Sequence, residues 1–222
     1  MCDAAPARGE ANFNAVALKN KDIMRIGILG GTFNPIHFGH LIIAEQAYDQ
    51  FALDKVLIMP SGVSYLKKDQ KIPDGSLRFQ MASLAVEDNP HFEASDMEIK
   101  REGNTYTADT IDELRKNDPD SEFFFITGAD TLHDMGFWMY PERIFSGCTV
   151  LVAVRNNETP EDLKSDIDSY KEKYCAKIEL LRTSDIEISS SMIREYVSKG
   201  RSVRYYLPEK VRSFILNNKL YE

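Results

Sequence analysis

The chain has 222 residues, of which 43% are hydrophobic and 28% charged, with a formal net charge of -8. That is enough apolar material for one sizeable core, and no apolar run approaches the ~20 residues needed to span a bilayer. The acidic balance excludes a non-specific nucleic-acid binder and leaves anion binding to local devices, namely backbone N–H groups and a few placed cations.

Residues 1–22 are rich in Ala and Asn, show no clear period and lack the apolar centre of a signal peptide, so they read as a poorly ordered extension. Met24 opens the first credible strand and is an alternative start. A single domain is expected over 23–222. Strand-like runs lie at 25–29, 55–59, 92–95, 122–127, 149–154 and 177–181, and helix-like runs at 39–51, 76–88, 108–116, 160–174, 190–199 and 208–218. The alternation predicts an α/β fold, a doubly wound parallel sheet with helices on both faces and a small C-terminal helical part. Pro208 fits the first turn of the last helix and Gly200 the C′ position of the one before it. In such sheets ligands bind outside the carboxyl ends of the strands, so the loops after strands are where chemistry is expected.

The first such loop reads Gly30-Gly31-Thr32-Phe33-Asn34-Pro35-Ile36-His37-Phe38-Gly39-His40. It is neither the dinucleotide fingerprint nor a P-loop. Gly30 and Gly31 are free to take positive φ and to let the backbone approach a ligand. The helix opening near Gly39 directs unsatisfied N–H groups at an anion. His37 and His40, three apart, face the same way and can donate to phosphate oxygens. A metal-binding pair is disfavoured because no third ligand stands at zinc-like spacing, and no protein metal site is expected. The string resembles the signature of the HxGH nucleotidyltransferases. That resemblance implies a Rossmann-like fold, histidines on the ATP phosphates, Mg²⁺ assistance and direct attack of an acceptor phosphate on the α-phosphate without a covalent enzyme intermediate. It also assigns Gly30, Gly31, Thr32, Phe33 and Gly39 to ATP.

A second anion site is expected at Ile188-Ser189-Ser190-Ser191-Met192-Ile193-Arg194, where serines open a helix and Arg194 reaches the same region. This segment is similar to the superfamily's second motif. The resemblance implies that Ile188, Ser190, Ser191 and Arg194 bind ATP, with Arg194 catalytic beside His37, His40 and Lys67.

Four further segments resemble nicotinate-nucleotide adenylyltransferases in particular. Pro60-Ser61-Gly62 leads to Lys67, with Leu66 where the family has histidine. Thr107, in Thr105-Tyr106-Thr107-Ala108-Asp109-Thr110, is expected to cap the next helix and to hold the nicotinate group. Gly128-Ala129-Asp130 follows an aromatic strand, with Gly128 and Asp130 facing nucleotide. Trp138, the single tryptophan, stacks on the pyridine in the family, and Met139 beside it offers mainly backbone. The tail from Gly200 also matches, so the resemblance covers about 24–222.

The implied reaction joins the AMP of ATP to nicotinate mononucleotide, giving nicotinate adenine dinucleotide and pyrophosphate in NAD biosynthesis. The same chemistry on nicotinamide mononucleotide or phosphopantetheine is the alternative, and a non-catalytic nucleotide-sensing module is the rival from another class. No nucleic-acid or membrane partner is expected, and a homo-oligomer is compatible with the sequence. Cys2, Cys148 and Cys175 lack metal-ligand spacing, and their sparse, odd count suggests a cytoplasmic protein. His91 and His133 read as structural or solvated. Arg78 opens a helix, where a phosphate contact and a surface role are both open.

Overall fold

The computed structural model describes residues 23–62, 72–154 and 160–222. The proposed extension and Lys67, with Leu66 beside it, lie outside the described residues. In chain order the elements are β1 (Arg25–Gly31), α1 (Phe38–Gln50), β2 (Lys55–Pro60), α2 (Gly75–Val86), β3 (Phe92–Ala94), α3 (Met97–Lys100), α4 (Thr107–Asn117), β4 (Glu122–Gly128), α5 (Ala129–Met135), α6 (Pro141–Gly147), β5 (Thr149–Val154), α7 (Pro160–Tyr174), β6 (Lys177–Arg182), α8 (Ser190–Ser198) and α9 (Glu209–Asn217).

The strands form one six-stranded sheet in the order β3-β2-β1-β4-β5-β6, and every neighbouring pair is parallel. Side chains alternate between faces at a period of two. Val56, Ile58, Phe124, Ile126, Leu151 and Ala153 therefore join the core under α1, α2, α8 and α9. Ile26, Ile28, Leu57, Met59, Phe123, Phe125, Val150 and Val152 join the core on the opposite face, under α4–α7. The run Phe123-Phe124-Phe125 needs this arrangement, since a strand buried on both faces reads as continuously apolar. The C-terminal part shares the first core through Ile193, Val197, Val211 and Ile215.

Three short helices lie outside the expected helix-like runs. α3 has four residues, too few to show a period. α5 starts where β4 ends, so Gly128-Ala129-Asp130 is a strand-to-helix step rather than a loop. α6 carried a signal in Pro141 at its first turn. Two caps move by one residue: Tyr106, with extended backbone, caps α4, so Thr107 is its first helical residue, and Pro208 caps α9. Gly200 takes the left-handed conformation just past α8 with φ 63°, as expected.

From β1 the chain crosses to β2 and β3 on one side, and β4 continues to β5 and β6 on the other. The carboxyl ends of β1 and β4 thus flank the switch point, where the connections diverge and leave a crevice.

Candidate active site

At the end of β1 the sequence expectation needs a correction. Gly30 and Gly31 do not take positive φ, because both remain in strand register, opposite Met59 and Pro60. Gly31 is needed for space: a Cβ there would meet the Phe33 ring at 3.0 Å. The left-handed residue is Phe33 itself, with φ 47°. Its buried ring meets His40 edge-on, with centroids 5.0 Å apart. A non-glycine residue in this region costs about 1–3 kcal/mol and marks a loop held by its surroundings.

His37 is the N-cap of α1, and its ring stacks on that of His40 with centroids 3.7 Å apart and planes 26° apart. A Cβ at Gly39 would lie 3.0 Å from the His37 ring, which explains a glycine between the two histidines. The His37 backbone N–H donates to His40 Nδ1 at 3.2 Å. In a neutral imidazole that acceptor role puts the proton on Nε2. Burial, and then the adjoining His37, hold the His40 pKa well below the usual imidazole value, so the ring of the free protein is neutral at pH 7.

The serine motif meets this loop from the other side. Ser189 caps α8 by accepting the Met192 N–H at 3.2 Å. Ser190 Oγ donates to the Pro35 carbonyl at 2.8 Å, and Arg194 Nη1 to the Asn34 carbonyl at 2.8 Å. The openings of α1 and α8, some 150 residues apart in sequence, are therefore tied together by their own side chains, with the anion-attracting ends of both helices on one cleft. That cleft, about 580 Å³, is lined by Thr32, Phe33, Asn34, His37, Gly39, His40, Asp130, Ile188, Ser189, Ser190, Ser191 and Arg194. Beyond the polar end it continues along Ile42, Ile43, Ser184 and Ile186. This apolar wall is fixed by α1: Gln46 Nε2 donates to Ser184 Oγ at 3.0 Å, and Gln50 exchanges two bonds with the backbone of Arg182.

A second compartment of about 560 Å³ lies under β1 and β4. Gly30, Gly31 and Gly128 line this side rather than the first cleft. Thr105, Tyr106 and Thr107 form one wall, and Trp138 and Met139 another. Trp138 is held edge-on by Phe125, with centroids 6.2 Å apart. Glu98, also in the wall, accepts from Thr110 Oγ1 at 2.8 Å, and its carboxyl pKa is raised chiefly by burial. Thr32, His40, Ile43 and Asp130 line both compartments, so the two meet there. Asp130 is the one carboxylate common to both among the described residues. Among the described residues no group of three or more His, Cys, Asp or Glu side chains is arranged to hold a metal ion.

A family model described as cytidylyltransferase-like matches residues 28–196. A protein of Lachnoclostridium phytofermentans named probable nicotinate-nucleotide adenylyltransferase is 47% identical over 197 residues, covering 89% of this chain and 98% of its own. The chain belongs to the nicotinate-nucleotide adenylyltransferases of the cytidylyltransferase-like family. Another family member of the same name, from Clostridium beijerinckii, is 39% identical over 89% of this chain and 98% of its own. The solved structure of Plasmodium falciparum nicotinic acid mononucleotide adenylyltransferase complexed with NaAD covers 89% of this chain and 97% of its own, with a TM-score of 0.74 and 18% identity. At that identity the likeness to the solved family member is one of fold.

Several lining residues of this adenylyltransferase family member carried no sequence signal. Ile42 and Ile43 read as ordinary core positions of a helix, and Ser184 and Ile186 sit in an irregular stretch with no period. His91 and His133 lie away from the cleft, as expected, one stacked on Tyr48 and the other paired with Asp166. Cys148 is buried and Cys175 exposed. Arg78 differs from a surface reading: it is 5% exposed.

Proposed function

We infer that the protein transfers the AMP moiety of ATP to nicotinate mononucleotide, releasing pyrophosphate and forming nicotinate adenine dinucleotide for NAD biosynthesis. The observation that carries this reading is the meeting of two differently built compartments at Thr32, His40 and Asp130. One is a polar, cation-bearing cleft with an apolar extension, suited to a triphosphate and its base. The other joins a tryptophan to the opening turn of α4, whose N–H groups favour an anion such as a pyridine carboxylate.

With the triphosphate on the first side and the acceptor phosphate on the second, an acceptor oxygen attacks the α-phosphorus. The bond from that phosphorus to the bridging oxygen of the β-phosphate breaks, and pyrophosphate leaves. No side-chain nucleophile is needed, so catalysis consists of positioning and of donors aimed where charge develops. His40 Nε2–H and His37 serve the α-phosphate region. Ser190 and Ser191, with the remaining donors of Arg194, hold the outer phosphates. Lys67 is assigned to phosphate by family resemblance. Mg²⁺ brought in with ATP would neutralise phosphate charge. Asp130, the shared carboxylate, fits that company, because Mg²⁺ is commonly held by one or two carboxylates plus substrate phosphates. Thr107 and Met139 line the acceptor side with Trp138.

A cytoplasmic setting suits a small-molecule reaction on ATP, and among the described residues no helix is long and apolar enough to cross a membrane. Trp138→Ala is expected to raise the KM for nicotinate mononucleotide about tenfold to a hundredfold, in line with about 1–3 kcal/mol for a stacked base, while the KM for ATP stays within about twofold. Steady-state kinetics with each substrate varied in turn checks this. The overall reading is tested by pyrophosphate release from ATP across acceptors. Turnover with nicotinate mononucleotide well above that with nicotinamide mononucleotide or phosphopantetheine is expected. Preference for phosphopantetheine rejects the acceptor, and ATP binding without release from any acceptor favours a sensing module.

A further inference from the structure

Arg78 stands in the first turns of α2 and lines neither compartment, yet its guanidinium is buried. Its donors go to backbone carbonyls in two separate segments: Nη1 to Thr32 at 2.9 Å and Nε to Pro73 at 3.1 Å. Thr32 is one of the residues common to both compartments. Arg194 donates to the carbonyl of Asn34, two residues on. The stretch from Thr32 to Asn34, with Phe33 held left-handed between them, is therefore gripped by one guanidinium from α2 and another from α8. Tyr221 packs against the core within electrostatic range of both, so the end of the chain backs the same point.

A buried guanidinium is costly to desolvate and is retained where its fixed fork of donors does something an apolar side chain cannot. Bridging two carbonyls on different segments meets that condition, and lysine, which carries the same charge, cannot reproduce the paired directions.

We propose that Arg78 is a positioning residue for AMP transfer, holding the Thr32 carbonyl and thereby the junction at which the acceptor phosphate meets the α-phosphate. This rests on the reading of the two compartments given above. Arg78 acts through the backbone and touches no substrate, so its loss should misalign the reacting groups while leaving ground-state binding intact. Misplacement of this order lowers kcat much more than it raises KM.

The test compares wild-type protein with Arg78→Lys and Arg78→Met, measuring the melting temperature, the ATP dissociation constant by titration, and kcat and KM for both substrates. The proposal expects folded variants, an ATP dissociation constant within about threefold of wild type, and kcat lowered at least about tenfold in both. Folded variants with kcat within about twofold of wild type overturn it, as does a loss confined to KM. Failure of both variants to fold also overturns it, since it would make Arg78 a support of the fold. Absent turnover in the wild-type protein would instead reject the transfer reading, which keeps the two claims separable.

Discussion

Replacing His40 with alanine is expected to lower kcat for dinucleotide formation by about 10²–10³-fold, the usual cost of one donor aimed at developing charge. The KM values should change little, since the interaction strengthens only as charge builds on the phosphoryl group. The geometry makes this specific. His40 Nδ1 is occupied by the His37 N–H, which leaves Nε2–H as the ring's donor, and the ring is clamped between His37 and Phe33. His40→Gln keeps a donor but loses the clamped ring, so partial recovery at most is expected. The fold should survive, because the two sheet cores lie behind the cleft and do not include His40.

The same residue gives the free protein a pH signature. Burial and His37 depress the His40 pKa below 6.5 in the folded chain, so the unfolded chain binds a proton that the folded one resists. Stability then rises with pH: the contribution is complete above the unfolded value and is lost progressively as pH falls below it. Thermal unfolding between about pH 5 and pH 8 should show this slope, and His40→Ala should flatten it.

Arg194→Ala is expected to cut kcat/KM for ATP by about tenfold to a hundredfold, corresponding to about 1.5–3 kcal/mol for hydrogen bonds to a charged group. Two losses combine. The guanidinium donors proposed to meet the outer phosphates are removed from the cleft, and the Asn34 carbonyl loses its 2.8 Å partner. Arg194→Lys restores the charge without the fork, so it should recover ATP affinity more than turnover. The KM for the acceptor should be nearly unchanged in both, because Arg194 lines only the first compartment. Kinetics with ATP and acceptor varied separately distinguish these effects.

The sheet was readable because its strands bury both faces and appear as unbroken apolar runs, as in Val150–Ala153, separated by helices of ordinary length. The cleft between the openings of α1 and α8 was readable because its chemistry is concentrated in two short strings, each at a helix opening where histidine, serine and arginine have few structural reasons to cluster. What the strings could not convey was conformation. The paired glycines suggested a left-handed turn, yet they stay in register with β2, and the turn falls on Phe33, whose ring is needed against His40. Arg78 was opaque for a related reason: its partners are main-chain carbonyls of Thr32 and Pro73, and backbone acceptors leave no mark in a sequence. The apolar extension along Ile42, Ile43 and Ile186 was hidden because isoleucines that line a cleft look like isoleucines that face a core. Helix α5 was missed because it follows β4 without a connecting loop to punctuate it.

Direct displacement across the junction of the two compartments is tested most sharply by the stereochemical course at phosphorus. ATP made chiral at the α-phosphate would be turned over with nicotinate mononucleotide and the configuration of the dinucleotide determined. A single in-line attack predicts inversion. Retention would reveal an even number of displacements, and with it a covalent enzyme intermediate that this site was inferred not to use.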